Sequence, residues 1–337
     1  MIPKRVFYVW GADEEKRRDV NQCMLSWYKT LPDYEIIEIN EKSKKYFDFQ
    51  KELNTNPWFK EVHKRRLFAY VADYIRVKVL YEHGGIYLDT DVSVIKSFDD
   101  LLNNEAFVGI EGNNKSIGHE WVEPAILGAT KGNVFLKHIV DFYTNEVWES
   151  SLFVLPDIFG KFLNECYNIR SFPNKEEQVI IRTKHITIYP EKFFIPFRLN
   201  QTYNFECIEP ETYTVHWWNG SWNHTERLLF LENKHRLPLS EIDALIEDYH
   251  RKNSYQNQVL TVARNLRQEK ELASAEQILL STFSILPSTK ILSEYLPLVK
   301  DRFKIKSKKI RKLYIFGRLL MRPTLLLATI SYKLRNR

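Results

Sequence analysis

Two carboxylates separated by a single residue, Asp89 and Asp91, follow an apolar segment and are the clearest candidates for chemistry in this sequence. If residues 86–94 form one β-strand, side chains two positions apart point to the same side of it. Two carboxylates held side by side repel each other, and a divalent cation between them removes that repulsion. Oxygen ligands of this kind suit Mg²⁺ or Mn²⁺. The spacing therefore predicts a metal site at the end of the strand.

The residues before this strand predict a helix that carries further polar groups. Apolar residues recur there at helical spacing, at Phe68, Val71, Ala72, Ile75 and Val79. Asp73 and Arg76 lie three residues apart and therefore share a helical face away from that apolar stripe. Gly84 and Gly85 predict the end of the helix, where a left-handed backbone favours glycine. Asp73 and Arg76 form either a surface ion pair or part of a site with the two carboxylates.

The order of the predicted elements is typical of a Rossmann-type α/β sheet. Residues 6–11 predict a buried strand, residues 13–31 a helix and residues 34–39 a second strand. Further strands are predicted at residues 107–110, 186–190 and 213–218. The fold class expected from this order is α/β.

Two neighbouring segments after the central strand are predicted to be a loop and a helix. Residues 111–123 are polar and irregular, which is typical of a binding loop or a mobile loop. Residues 124–145 predict a helix, and so do residues 156–168. The long polar loop is therefore a second place at which a substrate could be contacted.

Composition places the chain among globular proteins. Its 337 residues are 44% apolar and 27% charged, enough for one large α/β domain with an appendage or for two domains. The three cysteines have no spacing typical of a metal site or disulfide framework, which favours a reducing compartment. The first residues predict a strand rather than a secretory signal. We therefore expect a cytoplasmic protein.

The C-terminal third is predicted to be helical and to end in a basic tail. Helical periodicity without strand signals runs through residues 236–301. Twelve of the 49 Lys and Arg residues, and none of the Asp or Glu residues, lie in residues 302–337. The apolar part of this tail is interrupted by charges, so it falls short of the roughly 20 residues that span a bilayer. The tail is either simply solvated or an amphipathic helix on an anionic membrane surface; nucleic acid is disfavoured.

The central segment resembles a known enzyme family. Residues 72–92 read ADYIRVKVLYEHGGIYLDTDV. This pattern is similar to the DXD region of glycosyltransferase family 32, which includes fungal α-mannosyltransferases, animal α-1,4-galactosyltransferases and bacterial capsule enzymes. It is related also to the catalytic domain of the large clostridial glucosylating toxins. The resemblance extends over residues 1–225, through the opening Val9-Trp10 strand and a late segment from His216 to Trp222.

The resemblance implies a fold and a reaction. It implies a GT-A-like, Rossmann-type nucleotide-sugar-binding domain over residues 1–235, followed by a helical region at 236–301 and the basic tail at 302–337. The implied reaction moves a sugar from a nucleotide-sugar donor, expected to be UDP-linked, with retention of anomeric configuration. The acceptor would be a cell-surface polysaccharide, as in capsule synthesis, or a lipid-linked oligosaccharide. Such an enzyme would work in the cytoplasm, peripherally at the inner face of the cell membrane.

The resemblance also implies a metal centre. Asp91 would hold a divalent cation, Mn²⁺ or Mg²⁺, against the donor diphosphate, and Asp89 would bind it through water or bind a ribose hydroxyl. His216 would supply a nitrogen ligand, unless it is an ordinary core histidine of an aromatic strand. Asp73 and Arg76 complete the implied catalytic group, with Asp73 accepting sugar hydroxyls and Arg76 holding Asp73 or approaching the donor.

Other residues are implied to bind the two substrates. The implied donor-binding residues are Val9, Trp10, Asp73, Arg76, Tyr87, Asp89, Ser221 and Trp222. Val9 and Trp10 would hold the base, since an exposed Trp at a strand end can stack on it. Ser221 and Trp222 would close over the diphosphate. Candidate acceptor contacts in the polar loop are Glu111, His119, Trp121 and Glu123.

Two other functions remain open from the sequence. A haloacid-dehalogenase-type phosphatase would use Asp89 as nucleophile and Asp91 beside it, but that motif belongs on a first strand and needs a later acidic motif that is absent here. A non-catalytic, membrane-recruited binding module would use its helical region to contact partner enzymes. A phosphate-release assay tests the first alternative, and deletion of residues 302–337 tests the membrane recruitment that the second requires.

Overall fold

A computed structural model describes residues 1–11, 13–114, 119–198, 201–218, 225–286 and 288–303. The chain divides into two compact units, Met1–Leu237 and Pro238–Arg337. In the described residues the first unit combines strands with helices, and the second contains helices. The predicted α/β class with a C-terminal helical region is therefore confirmed, whereas the domain limits at residues 235 and 301 stay predictions.

The first unit contains the following described elements. The strands are β1 (Arg5–Val9), β2 (Glu35–Ile39), β3 (Gly85–Leu88), β4 (Val92–Val94), β5 (Ala106–Asn114), β6 (His119–Ala129), β7 (Ile181–Arg182), β8 (Thr187–Tyr189) and β9 (Thr214–His216). The helices are α1 (Arg18–Thr30), α2 (Phe49–Thr55), α3 (Pro57–Lys64), α4 (Phe68–His83), α5 (Val134–Asn145), α6 (Leu155–Tyr167), α7 (Glu191–Phe194) and α8 (Thr225–Asn233).

Seven of the described strands form one mixed sheet in the order β2-β1-β3-β6-β5-β8-β7. Strand β1 runs parallel to β2 and β3, and β5 runs parallel to β8, whereas β6 is antiparallel to both β3 and β5. Strands β4 and β9 form a separate antiparallel ribbon in which Val92 pairs with His216. The central strands are buried on both faces, which explains their continuous apolar sequences.

Helix α1 covers one face of the central strands and α4 the other. The side chains of Val6 and Ile86 point to the α1 side of the sheet, where they belong to the same core cluster as Trp27. Phe7 and Tyr87 point to the opposite side, and Arg76 of α4 lies over the Tyr87 ring. The carboxyl ends of β1 and β3 therefore meet at one edge of the sheet, between the two helices.

The predicted amphipathic character of α4 is wrong. The helix packs against α3 and α5 as well as against the sheet, so it is buried around most of its circumference. Phe68, which the spacing assigns to the buried stripe, is 44% exposed, and Arg76, which it assigns to the polar face, is 6% exposed. Gly84 ends the helix at a φ of 68°, as predicted.

The predicted single strand over residues 86–94 is also wrong. Strand β3 ends at Leu88, and a turn that is closed by the Val92 amide donating to the Asp89 carbonyl (3.1 Å) leads into β4. Strand β3 belongs to the main sheet and β4 to the ribbon, so the chain must change direction between them. The two carboxylates thus lie on a turn rather than on one face of a strand.

The predicted loop at residues 111–123 and the first part of the helix predicted at 124–145 are wrong, because these residues belong to the antiparallel strand pair β5–β6. The rest of that helix is confirmed as α5, and the helix predicted at 156–168 is confirmed as α6. Strand β5 runs to Asn114, β6 runs from His119 to Ala129, and α5 begins only at Val134. Small apolar residues on β6 fit closely against its partner, since Gly128 pairs with Phe107. The polar sequence that indicated a loop therefore forms the hairpin arms, where long-range pairing overrides local preference.

The second unit contains three described helices, α9 (Leu239–Gln268), α10 (Leu272–Ile285) and α11 (Thr289–Phe303). They share a core of apolar side chains that includes Leu260, Leu279, Phe283 and Leu298. Within the described ranges, no helix is both long enough and apolar enough to cross a membrane. The predicted tail at 302–337 lies outside the described residues from position 304 onward.

Candidate active site

The turn between β3 and β4 and the end of β9 bring three potential metal ligands together. One ligand atom each from Asp89, Asp91 and His216 lies within 4.8 Å of the others. The pairing of Val92 with His216 and a hydrogen bond from the Trp217 amide to the Asp91 carbonyl (2.9 Å) fix this arrangement. The predicted ligands, 127 positions apart at their farthest, are thus brought together by the backbone hydrogen bonds of one ribbon.

Arg76 joins the helix α4 to this turn. Its Nη2 lies 3.1 Å from Asp73 Oδ1 and 3.0 Å from Asp89 Oδ1, and the guanidinium lies 4.6 Å from the centre of the Tyr87 ring. The Tyr87 hydroxyl donates to the same Asp89 oxygen at 3.0 Å. The structure therefore brings together Asp73, Arg76, Tyr87 and Asp89, and it excludes the alternative of a surface ion pair because Arg76 is buried.

His216 is enclosed by its neighbours. Its Nε2 lies 3.3 Å from Asp91 Oδ1, and its Nδ1 lies 3.8 Å from Glu123 Oε2. The Trp218 ring packs on the imidazole with centres 4.2 Å apart. Trp218 has a φ of 57°, a left-handed conformation that a bulky residue seldom adopts. Such strain beside a buried polar group is typical of functional sites.

Glu123 reaches the site because strand β6 is irregular. Glu123 pairs with Gly109 but Leu127 pairs with the adjacent Val108, so β6 carries extra residues at this point. Bulges of this kind re-aim side chains near active sites, and Pro124 suits one because it lacks an N–H for the ladder. Glu123 is 8% exposed and lies on β6 rather than in the predicted polar loop, whereas its predicted contact with an acceptor stays a prediction.

The site has an excess of buried negative charge. Burial raises the pKa of Asp89, and the neighbouring Asp91 raises it further against the effect of Arg76. Burial also raises the pKa of Asp73 to about 7. Burial alone would lower the pKa of His216, but the hydrogen bond with Asp91 and the charge of Glu123 outweigh it and raise the pKa to about 9. A bound cation would relieve this repulsion between carboxylates.

The donor set fits a divalent cation. The two carboxylates supply oxygen ligands of the kind that suit Mg²⁺ and Mn²⁺, and His216 adds one nitrogen. The group formed by Asp89, Asp91 and His216 is the one cluster with ligand spacing in the part of the chain that the structure describes. A buried His216 Nδ1 without a hydrogen-bond partner there supports a role for Nε2 on the opposite side of the ring.

The remaining predicted residues divide between the sheet edge and segments outside the described residues. Val9 ends β1 and Trp10 follows it, at the same sheet edge as Asp89 because β1 and β3 are parallel neighbours. The Trp10 indole donates to the Glu14 carbonyl at 2.8 Å. Ser221 and Trp222 lie outside the described residues, as do the side chains of His119 and Trp121.

Comparison with known proteins identifies the family to which residues 17–108 are similar. Residues 17–108 match the family described as "Glycosyltransferase sugar-binding region containing DXD motif". This segment is a DXD-type glycosyltransferase region. It includes the residues that converge at the turn, namely Asp73, Arg76, Tyr87, Asp89 and Asp91. The predicted resemblance to a DXD glycosyltransferase family is therefore confirmed for this segment.

Several relatives of this region are named as sugar transferases. The chain is 29% identical over 141 residues to inositol phosphoceramide mannosyltransferase 3 of Schizosaccharomyces pombe, covering 41% of this chain and 36% of that protein. It is 27% identical over 184 residues to lactosylceramide 4-alpha-galactosyltransferase of Homo sapiens, covering 48% and 46%. The chain thus spans less than half the length of these curated relatives. Among solved structures, the PaToxG glycosyltransferase is similar at a TM-score of 0.41 with 18% identity, over 50% of this chain and 70% of that chain.

Proposed function

We propose that this chain is a metal-dependent glycosyltransferase that moves a sugar from a nucleotide-sugar donor, UDP-linked, to a glycan or glycolipid acceptor. The observation that carries the proposal is the convergence of Asp89, Asp91 and His216 beside the buried Arg76 within a DXD glycosyltransferase region. The two carboxylates and the histidine would hold a divalent cation, and that cation would supply the positive charge that a diphosphate needs close by.

The cation would be held by Asp89, Asp91 and His216, and it would supply positive charge to the departing diphosphate. Arg76 and Tyr87 both donate to Asp89 Oδ1, and Arg76 also reaches Asp89 Oδ2 at 3.4 Å, so together they fix the orientation of that carboxylate. Asp73, held by Arg76 at 3.1 Å, would accept hydrogen bonds from donor hydroxyls. These residues hold the donor and do not themselves need to form a bond to the sugar.

The base of the donor would lie against Trp10. Trp10 is partly buried and lies at the carboxyl end of β1, where ligands of open α/β sheets bind. An indole at this edge can stack on a base. Val9, the last residue of β1, is paired with Ile39 and would support that contact through its backbone.

The acceptor and the stereochemistry are also proposals. The names of the two relatives above, which mention inositol phosphoceramide and lactosylceramide, support a lipid-linked or glycolipid acceptor, such as a lipid-linked oligosaccharide of cell-surface polysaccharide synthesis. The resemblance to retaining transferases supports retention of anomeric configuration. We further propose that the protein works in the cytoplasm, at the inner face of the membrane.

The test is donor hydrolysis and transfer over a panel of nucleotide sugars with Mn²⁺. Chelation with EDTA should abolish turnover and Mn²⁺ should restore it. Asp91→Asn should lower kcat by about 100-fold or more, the loss typical when charge stabilisation of a transition state is removed. Asp141→Asn, on the solvent side of α5, serves as the matched control and should leave kcat unchanged. Turnover that survives both chelation and Asp91→Asn would refute the proposal.

The phosphatase alternative is disfavoured by the geometry. Asp89 Oδ1 already accepts hydrogen bonds from Arg76 and Tyr87, an arrangement that weakens a carboxylate as a nucleophile. The aspartate also follows the third strand of the chain rather than the first. Release of phosphate from a simple ester without a nucleotide sugar would favour that alternative.

A further inference from the structure

The imidazole of His216 has two differently placed nitrogen atoms. Nε2 faces Asp91, the neighbouring metal ligand, at 3.3 Å. Nδ1 is buried, and the described residues offer it no hydrogen-bond partner, although Glu123 Oε2 lies 3.8 Å away. A histidine that binds a metal through Nε2 must carry its remaining proton on Nδ1. In this site that proton would point toward Glu123.

Glu123 is itself tied to the metal-binding turn. Its Oε1 accepts a hydrogen bond from the Ala125 amide at 2.8 Å, and the Ala125 carbonyl accepts one from the Asp89 amide at 2.9 Å. One short segment of β6 therefore fixes both the carboxylate behind His216 and the backbone of Asp89. The second oxygen of Glu123 is left directed toward the imidazole.

The face of the imidazole is restrained as well. Trp218 packs on it at 4.2 Å and is itself anchored by its indole, which donates to the Phe197 carbonyl at 3.1 Å. These contacts restrict movement of the imidazole ring. The tautomer of His216, that is, which nitrogen carries the proton, is then decided by the group that faces Nδ1. A carboxylate on the Nδ1 side sets it, because it attracts an N–H and repels a lone pair.

We propose that Glu123 is a positioning residue that holds His216 with its proton on Nδ1 and so presents Nε2 to the divalent cation. The inference rests on the metal site of the proposed function and adds a residue that lies behind that site. Carboxylates in this position behind a metal-bound histidine typically contribute 10- to 100-fold to metal affinity. Glu123 acts through His216 and touches neither the cation nor the donor.

The experiment measures Mn²⁺ binding to the full chain without substrate. The Mn²⁺ dissociation constant comes from electron paramagnetic resonance, and the nitrogen coupling of bound Mn²⁺ reports whether an imidazole is a ligand. Glu123→Leu should weaken binding by about 10- to 100-fold and reduce the nitrogen coupling. Glu123→Gln should lie between Glu123→Leu and the wild type, because the amide oxygen still accepts from Nδ1–H but carries no charge.

Glu111→Leu is the matched control. Glu111 is a carboxylate on the partner strand β5, and its charge also acts on the His216 region. Its replacement should weaken Mn²⁺ binding clearly less than Glu123→Leu does and leave the nitrogen coupling in place. Equal losses in the two variants would show a general effect of negative charge and would overturn the positioning role.

The outcomes separate this inference from the proposed function. If the wild type binds Mn²⁺ with nitrogen coupling and His216→Ala removes that coupling, the metal site is present. Unchanged affinity and coupling in Glu123→Leu would then overturn the role of Glu123 alone. Absence of Mn²⁺ binding by the wild type would overturn both. Glu123→Gln, which is nearly isosteric, keeps the test decisive if thermal unfolding shows that Glu123→Leu does not fold.

Discussion

At the residue scale, the site depends on one buried guanidinium among carboxylates. Arg76 binds Asp73 on its own helix and Asp89 on the turn after β3, and its Nε is buried without a hydrogen-bond partner within the described ranges. Burying this cation costs desolvation energy that its two carboxylates offset. Removing one member of such a group leaves an uncompensated buried charge, which is more costly than the net contribution of the intact group.

We therefore expect Arg76→Met to destabilise the protein by about 3–5 kcal/mol. Lys78→Met, on the same helix, is the matched control: Lys78 is partly exposed and pairs with Glu82 at 3.1 Å and with Glu52 at 3.7 Å, so its loss should cost clearly less, about 1 kcal/mol. Urea unfolding of both variants measures the difference. Equal destabilisation would mean that the buried group around Arg76 is not a distinct source of stability.

At the element scale, the β5–β6 pair requires close packing that only a glycine permits at one position. A Cβ added to Gly128 would overlap the ring of Phe107 on the neighbouring strand. Both strands lie in the centre of the sheet, and β6 also positions Glu123 and the Ala125 carbonyl. Overpacking at this point should therefore disturb the site as well as the core.

Gly128→Ala should destabilise the fold by about 1–3 kcal/mol, as overpacked core positions do. Gly160→Ala supplies the opposite case, because a Cβ there meets no atom and Gly160 lies within helix α6. The free energy of unfolding of that variant should be higher by about 0.5–1 kcal/mol, because alanine has a higher helix propensity than glycine. Thermal unfolding of both variants measures whether the first lowers and the second raises stability relative to the wild type. A change in the same direction in both would contradict the packing argument.

Lys234 follows helix α8 and is buried against other residues of the first unit. Lys234 donates to the carbonyls of Val147 and Ser150 and lies 5.7 Å from the Trp58 ring centre. Burial lowers the pKa of Lys234 to about 8 from 10.5. A neutral amine still has two N–H groups, which are enough for the two carbonyls.

This lysine gives a prediction for pH dependence. Because the folded-state pKa is the lower one, the unfolded chain binds more protons between pH 8 and pH 10.5, and stability should rise with pH across that window. Between these pH values, the free energy of unfolding of the wild type should rise by up to about 3 kcal/mol relative to that of Lys234→Met. Exposed Lys131→Met is the control and should follow the wild type. Parallel pH curves for wild type and Lys234→Met would contradict the lowered pKa.

At the scale of the whole molecule, charge is distributed unevenly along the chain. The basic residues that make the net charge +6 are concentrated after residue 301, whereas the preceding part has more acidic than basic residues. Each Lys or Arg near an anionic membrane surface contributes about 1 kcal/mol to binding. The tail, rather than residues 1–301, is therefore the part suited to such a surface.

We expect the full chain to co-sediment with vesicles that contain anionic lipid, and a chain that ends at residue 303 to remain in the supernatant. Neutral vesicles and raised salt are the controls, since both remove the electrostatic attraction. Transfer to a soluble acceptor should survive the deletion. Sedimentation that is the same with and without residues 304–337 would show that the tail is not the membrane contact.

The sequence by itself determined which residues are candidates for the site and where several of the local elements lie. Asp89, Asp91, Asp73 and Arg76 are read from a motif whose residues lie within 19 positions of one another, and the glycines that end α4 need a backbone that few other residues adopt. The strand-helix-strand order at the start of the chain also follows from short-range periodicity. These features depend on neighbours along the chain, so composition and spacing reveal them.

Only the tertiary structure decided how those residues meet. Strand β3 ends before Asp89 because the following residues pair with β9, a partner far away in the sequence. Arg76 is buried because α4 is covered on both sides, which helical periodicity does not show. Glu123 lies behind His216 because a bulge in β6 displaces it. Each of these outcomes follows from pairing between distant segments, and no local pattern carries that information.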